Sequence, residues 1–432
     1  MRFYIETYGC SMNRSDSQIM EKLLEEAGLI RVNDPREADV IVLNTCNVKT
    51  PTEQRMIQRA RELSKYAPLV VAGCMAKSQG YKLKDFSKVL VAPREIDKIV
   101  EAVNSAIAGR RAEFLEWRFI DKSSYLRDPL GLVGIIPIAE GCMGACTYCI
   151  TRLARGGLTS FPKRNILRLA EHFLRKGAVE LWLTSEDTAA YGRDMGENLA
   201  NLIMDLSDLP GDFRIRIGMM TPSSALPILS ELIGAYRSRK VYKFFHLPVQ
   251  SGSDRVLEDM GRNYTVDQFL SMVDFIRKEL SDVSIATDII VGFPTEDEED
   301  FESTLAILER LKPDVVNVSK FGARPGTEAA SMRKLPDAIV SRRSKEVNEL
   351  VERIKEEVNE RYLGRELEVL VSEKGEKGFQ GRTNSYKPVA LREVKLGHFY
   401  LVEIVDFRAN YLIGEVKEEL GKAGLQIELK LT

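Results

Sequence analysis

The sequence predicts an α/β protein in three folded parts: an N-terminal parallel α/β sheet domain, a central partial (βα) barrel and a small antiparallel β-barrel at the C-terminus. Three observations carry this reading. Short β-rich runs alternate with amphipathic helical ones twice over, across residues 1–108 and again across residues 132–335. The second series packs six βα units into about 200 residues, which suits a barrel better than an open dinucleotide sheet; no GxGxxG phrase follows any of its strands. After Gly364 the texture turns to short alternating runs broken by glycines, as in small all-β modules.

The elements follow in order. In the first part residues 2–8, 39–44, 69–72 and 88–91 read as strands, and residues 15–27, 51–66 and 93–108 carry apolar side chains at helical spacing. The polar stretch 109–131 reads as a linker. Barrel strands are expected at 135–139, 180–184, 213–217, 243–249, 283–291 and 315–321, with helices at 164–175, 197–206, 225–236, 266–280 and 298–311. Residues 336–363 form one long amphipathic linking helix, with Val347, Leu350, Val351, Ile354 and Val358 on its apolar side. In the last part, residues 364–432, strands are expected at 366–371, 399–405 and 425–431, in a barrel most simply of five strands.

Composition narrows the function. Of 432 residues 44% are hydrophobic and 29% charged, near the values of soluble globular proteins. No apolar run approaches the roughly 18 residues of a membrane-spanning helix. The start, MRFYIETYGC, lacks the basic segment and apolar core of a secretory signal, so a cytoplasmic location is expected. A net charge of −2 excludes a globally basic nucleic-acid coat but not a local patch. Six cysteines are too few for a disulfide scaffold in a chain this long and point to metal binding or chemistry.

Cys142, Cys146 and Cys149 stand in Gly141-Cys-Met-Gly-Ala-Cys-Thr-Tyr-Cys-Ile150, directly after the first barrel strand. Thiolates at this spacing can hold three irons of a four-iron, four-sulfur cluster. The missing fourth thiolate leaves an iron open to a substrate or cofactor, and the carboxyl-end rim of a barrel is where such chemistry is placed. The alternatives are buried structural cysteines or a structural zinc. Zinc wants a fourth ligand, and none of His172, His246 and His398 lies within ligand spacing. Cys10, Cys46 and Cys74 each follow one of the first three strands, at the edge where open α/β sheets bind ligands. Converging there, they could hold a second cluster with an open iron. The alternative is three separately buried cysteines.

These residues resemble a known family. CxxxCxxC with Tyr148 before the last cysteine resembles the radical S-adenosylmethionine superfamily. Thr7-Tyr-Gly-Cys-Ser-Met-Asn13, Leu43-Asn-Thr-Cys-Asn-Val48 and Val71-Ala-Gly-Cys-Met75 are similar to phrases of its methylthiotransferases, as are His246-Leu-Pro-Val-Gln-Ser-Gly-Ser253 and Asp288-Ile-Ile-Val-Gly-Phe-Pro294. The resemblance covers essentially the whole chain, including a C-terminal module similar to the TRAM RNA-binding domain. Cys149-Ile-Thr-Arg-Leu-Ala-Arg-Gly156, Trp182-Leu-Thr-Ser-Glu-Asp-Thr188 and Gly381-Arg-Thr-Asn-Ser-Tyr-Lys-Pro388 resemble the archaeal and eukaryotic branch.

The resemblance implies a tRNA substrate, threonylcarbamoyladenosine beside the anticodon in the anticodon stem-loop, converted to its 2-methylthio derivative. Replacing an aromatic C–H by C–S breaks a strong, non-acidic bond, beyond a protein general base, so a cofactor radical is required. The family implies that a 4Fe-4S cluster on Cys142, Cys146 and Cys149 binds S-adenosylmethionine and generates a radical that takes hydrogen from carbon 2. It also implies that a second 4Fe-4S cluster, on Cys10, Cys46 and Cys74, supplies sulfur methylated by another S-adenosylmethionine. A low-potential electron donor and a sulfur source follow as partners. Two other substrates keep the chemistry, isopentenyladenosine in tRNA and an aspartate of a ribosomal protein. A reading of another class is a noncatalytic iron-sulfur RNA-binding or redox-sensing protein.

Where relatives in the superfamily often have Gly-Gly-Glu, this chain has Thr184-Ser185-Glu186. Ser185, Glu186 and Tyr148 are candidates for the cofactor, with Glu186 receiving the methionine ammonium or else standing as a solvated loop acid. Gln250 and Ser251 end the fourth barrel strand and join them, as do Asp288 and Gly292 for ribose and adenine, whereas His246 reads as a core histidine. Arg152 and Arg155 are candidates for substrate phosphates, with a solvated surface as the alternative. The C-terminal module has eleven Lys and Arg against eleven Asp and Glu, so charge gives RNA binding no support. Arg382, Asn384, Tyr386 and Lys387 nevertheless combine cation, amide and aromatic in one loop, suited to phosphate contact and base stacking, unless it is an ordinary hairpin turn.

Overall fold

A computed structural model of the chain describes residues 1–48, 50–376 and 378–425. The strand expected at 425–431 lies, from residue 426 on, outside the described residues.

The N-terminal sheet contains β1 (Arg2–Thr7), β2 (Ile30–Arg31), β3 (Val40–Thr45), β4 (Leu69–Gly73), β5 (Val89–Val91) and β6 (Ala112–Phe114), all parallel, in the order β2-β1-β3-β4-β5-β6. Every residue of β3 and β4 is buried, as a parallel sheet covered on both faces requires. Alternate side chains serve the two layers. Val40, Val42 and Val70 pack with α1 (Ser11–Glu26) and α4 (Ile99–Ile107), whereas Ile41, Leu43 and Val71 pack with α2 (Thr50–Leu63) and α3 (Cys74–Gln79).

Two expectations need correction here. The sheet does not end at residue 108: β6, inside the expected linker, adds a sixth strand because its backbone completes the edge of β5. The helix expected at 93–108 is also divided, into a 3-10 segment Pro93–Lys98 and α4. There Arg94 turns toward the barrel, its Nε donating to the Arg155 carbonyl at 2.7 Å.

The barrel begins with β7 (Val133–Pro137). A small pair, β8 (Ala139–Glu140) and β9 (Thr159–Ser160), flanks the cysteine loop, and α5 (Thr151–Arg155) follows that loop. Its remaining strands are β10 (Glu180–Thr184), β11 (Arg214–Ile217), β12 (Phe244–His246), β13 (Ser284–Val291) and β14 (Val315–Lys320). Two parallel triplets, β11-β10-β7 and β12-β13-β14, are joined by one bridge between Ile215 and Val241, which makes the barrel partial. Leu181, Leu183, Ile215, Ile217, Ile285 and Ile289 face outward into the main core. Around them lie α6 (Lys163–Arg175), α7 (Leu199–Ser207), α8 (Pro222–Ala225), α9 (Leu229–Tyr236), α10 (Asp254–Asp259), α11 (Val266–Glu279) and α12 (Glu298–Leu311). By the two-residue alternation, Trp182, Arg216, Phe244, His246 and Asp288 face inward.

The linking helix α13 (Asp337–Glu360) leads to β15 (Glu366–Gly375), β16 (Gly378–Thr383), β17 (Pro388–Leu391), β18 (His398–Arg408) and β19 (Tyr411–Lys422). These close in the order β15-β16-β17-β19-β18. The expected antiparallel barrel is in fact mixed, because β17 and β19 run parallel. The reason is geometric: five strands closed in a ring cannot all alternate in direction.

The module plugs the amino end of the (βα) barrel. Tyr386 sits between Tyr242 and Phe244, with ring centroids 4.8 and 5.2 Å away, and Arg214 lies over Phe399. Lys387 is buried and paired with Asp314 at 3.0 Å and with Asn359 at 2.8 Å. Tyr386 and Lys387 are therefore docking residues and not part of an open RNA surface, whereas Asn384 in the same loop is exposed. Tyr386→Ala is expected to cost about 3–5 kcal/mol by cavity formation, read as a lower unfolding midpoint, with the salt dependence of tRNA binding unchanged. A stable variant with weakened stacking on RNA would reverse this assignment.

Candidate functional site

All six cysteines gather at one end of the molecule. Cys10 caps α1 at the end of β1, Cys46 follows β3 and Cys74 opens α3 at the end of β4. Since β1, β3 and β4 are adjacent, pairing Thr7 with Asn44 and Thr45 with Gly73, the three thiols share one sheet edge. Gly73 makes this approach possible. Its φ is +92°, and a Cβ there would lie 2.3 Å from Asn44 Oδ1 and 2.6 Å from the Thr45 carbonyl. Asn13 ties the edge together: its Nδ2 donates to the Tyr8 and Thr45 carbonyls, and its Oδ1 accepts from Arg155 at 2.6 Å. Burial pushes the Cys74 thiol up to about 12, with Arg155 working against it; a bound cation would draw the proton off.

The second trio lies on the loop after β7. Gly141, at φ +80°, brings it within van der Waals contact of Gly157, where a Cβ would stand 2.1 Å from the carbonyl oxygen. The Gly144 N–H donates to Cys142 Sγ at 3.2 Å. A Cβ on Gly144 would lie 3.3 and 3.6 Å from the sulfurs of Cys142 and Cys146, so the two thiols flank this glycine closely. Arg152 is exposed and holds the loop by donating to the Gly144 carbonyl at 3.0 Å. Thr147 binds the end of α10 through the Asp259 carbonyl, and Arg262 donates to the Tyr148 hydroxyl at 2.7 Å. Burial pushes Cys142 up to about 12, whereas Arg262 opposes the same effect on Cys146.

The two trios face one mouth. Ser11, next to Cys10, shares a 2.6 Å hydrogen bond with Thr184, the last residue of β10, and Thr184 is in register with Pro137 of β7. Among the described residues no three His, Cys, Asp or Glu side chains close on a single point as around one ion. The case for each trio therefore rests on its donor set and its glycine-lined cradle, which fit an iron-sulfur cluster held by three thiolates.

Other candidates are placed differently from expectation. Arg155 is 1% exposed, bonded to Asp16 and Glu140 at 2.8 Å each and to Glu186 at 3.2 Å, so it cannot hold substrate phosphates. Glu186 is neither solvated nor free for an ammonium: one oxygen takes Arg155 and the other accepts the Gly141 N–H at 2.7 Å. Gly292 gives its N–H to Glu296 and faces Val340 of α13, which leaves no room for adenine. Ser185 stays half-exposed at the rim, with its Oγ accepting from the Asp187 N–H. Gln250 is buried at φ +73°, a strained conformation, and its Oε1 has no partner among the described residues. Ser251 is buried beside it. Asp288 points into the barrel toward His246 (3.0 Å) and Asn317 (2.7 Å), so His246 is a lining residue of the chamber and not a core histidine.

Sequence reasoning missed the seam between the sheet domain and the barrel. Asp16, Lys122, Glu140 and Arg155 form a buried ion cluster. Arg324 reaches across 271 residues to Glu53 at 2.9 Å. No local pattern announces either. Asn13, three residues after Cys10 in Thr7-Tyr-Gly-Cys-Ser-Met-Asn13, carries its signal in that spacing.

Three family models match the chain: an uncharacterized family, UPF0004, over residues 2–92, the radical SAM superfamily over 136–308 and the TRAM domain over 360–417. The chain is 42% identical over 96% of its length, and 99% of the relative's, to a probable threonylcarbamoyladenosine tRNA methylthiotransferase of Pyrococcus abyssi. It is 44% identical, at 96% and 99% coverage, to one of Methanothermobacter thermautotrophicus. To the threonylcarbamoyladenosine tRNA methylthiotransferase of Danio rerio it is 35% identical over 97% of this chain and 79% of that one. Among solved structures, the radical S-adenosylmethionine methyltransferase TsrM of Kitasatospora setae shares the fold, with a TM-score of 0.57 at 13% identity over 76% of each chain.

Proposed function

The chain belongs to the family of threonylcarbamoyladenosine tRNA methylthiotransferases, radical S-adenosylmethionine enzymes of tRNA modification, and from that premise we propose that its two thiol trios divide the reaction at one barrel mouth. The radical SAM match implies a 4Fe-4S cluster and S-adenosylmethionine. Cys142, Cys146 and Cys149 would hold that cluster, and Cys10, Cys46 and Cys74 would hold a second one, whose chemistry would be the supply of sulfur for carbon 2 of the adenine. S-adenosylmethionine on a reduced 4Fe-4S cluster supplies an organic radical able to break an aromatic C–H bond.

The observation that carries this reading is the Ser11–Thr184 hydrogen bond, which sets the carboxyl edge of the sheet on the carboxyl rim of the barrel. The chain's own residues hold this arrangement. Arg155 and Lys122 lock the two domains together, and Arg152 and Thr147 hold the cysteine loop. Gln250, with its unpaired Oε1, and Tyr148, fixed by Arg262, serve the cofactor. Of the expected RNA contacts, Arg152 remains open to solvent and Arg382 is half-buried over the Tyr386 ring; both keep that role. No described helix is long and apolar enough to cross a membrane; we place the enzyme in the cytoplasm with tRNA, a low-potential electron donor and a sulfur source.

The test is nucleoside mass spectrometry after incubating anaerobically reconstituted protein, reductant and S-adenosylmethionine with tRNA. Threonylcarbamoyladenosine should gain a methylthio group, and isopentenyladenosine should not. Modification of isopentenyladenosine alone, or of neither, would overturn the assignment.

A further inference from the structure

Arg214 and Arg216 both point into the barrel from β11, yet their settings differ. Arg214 is buried and saturated, paired with Asp212 at 2.8 Å and with Glu368 from the C-terminal module. Arg216 is half-buried and makes no hydrogen bond or ion pair with any described residue. Three rings surround it instead: Trp182 at 5.4 Å, Phe244 at 5.5 Å and Tyr386 at 5.3 Å from the guanidinium carbon. Aromatic faces hold a guanidinium in place but offer no oxygen to its five N–H donors.

A cation kept partly out of water without an anionic partner is costly, and a ligand anion relieves that cost. The interior carboxylates make no hydrogen bond to Arg216, although Glu180, buried near the same Tyr386 ring, keeps its Oε1 without a partner among the described residues. Glu180 accepts the Trp182 Nε1–H at 2.8 Å, and Asp288 is bonded to His246 and Asn317. The chamber is open to solvent, since the side chains of His246 and Asp288 keep 18% and 28% exposure although they face inward. Arg216 is the penultimate residue of β11, and its guanidinium lies inside the barrel between the Trp182 ring and Tyr386 of the amino-end plug.

We infer that Arg216 is the specificity residue that receives the threonyl carboxylate of the substrate adenosine, an assignment that rests on the proposed function. That carboxylate is the one full charge separating this base from plain or isopentenylated adenosine. Trp182 and Phe244, by holding the guanidinium with their faces, leave its N–H edge for the two carboxylate oxygens.

The experiment uses full-length, anaerobically reconstituted protein and two synthetic anticodon stem-loops, one with the free carboxylate of threonylcarbamoyladenosine and one with that group as its methylamide. Wild type should bind the carboxylate form about tenfold or more tightly, the value of a hydrogen-bonded charge. Arg216→Gln should abolish the preference at unchanged iron content, with the carboxylate form falling to the amide level, and Arg216→Lys should restore part of it. Equal binding of the two RNAs by wild type, a comparison that depends on no variant's folding, would overturn the proposal. So would a preference that survives in Arg216→Gln. A wild type that prefers the carboxylate yet leaves it unmodified would instead sink the assigned reaction and retain the subsite.

Discussion

Replacing Cys142, Cys146 and Cys149 together by Ala should abolish both 5′-deoxyadenosine formation and methylthiolated product, whereas replacing Cys10, Cys46 and Cys74 should abolish the product and leave deoxyadenosine formation in place. The asymmetry follows from position. The first trio lies on the loop after β7, cradled by Gly144, at the barrel rim where the chemistry of this fold is placed. The second lies on the edge of a separate sheet and meets that rim through the Ser11–Thr184 and Asn13–Arg155 hydrogen bonds. Wild-type protein should bind about eight irons and each triple variant about four, if each trio holds a four-iron cluster. Normal product from the Cys10, Cys46 and Cys74 variant would remove the sulfur-donor role. Loss of all iron from either variant would show that the sites are not independent.

Arg155→Ala should destabilise the chain by about 3–5 kcal/mol, the cost of leaving buried charges without their partner. Asp16, Glu140 and Glu186 all converge on this one guanidinium, and Asp16 and Glu140 would retain only Lys122 among their cationic partners. Arg152→Ala, three residues away and exposed, should stay within about 0.5 kcal/mol of wild type. Denaturant unfolding of the two variants checks this, and equal midpoints would contradict the buried network. The pH dependence has a definite sign. Burial pushes the Asp16 carboxyl up, but Lys122 and Arg155 outweigh it and hold the folded value below the ordinary 3.8. Its stabilisation is therefore complete above the unfolded pKa and is lost as pH falls through the folded value. With Arg155 removed the folded value rises, so acid unfolding should move to higher pH.

Local pattern determined much of this protein. Strand runs each followed closely by a cysteine placed Cys10, Cys46 and Cys74 at one sheet edge, because strand ends are written in consecutive residues. The CxxxCxxC loop after the first barrel strand was legible for the same reason, as was the six-strand period. Exposure was not. Arg155, Tyr386 and Lys387 read as surface groups because charged and polar side chains default to solvent. Their partners, Asp16 at 139 residues' distance and Asp314 and Tyr242 across the docked module, are set only when domains pack. Closure of a five-stranded ring imposed the parallel β17–β19 pair, which no strand shows by itself. The setting of Arg216 belongs to the same class: in sequence it is one cation of β11 near Arg214, and only tertiary packing surrounds it with Trp182, Phe244 and Tyr386.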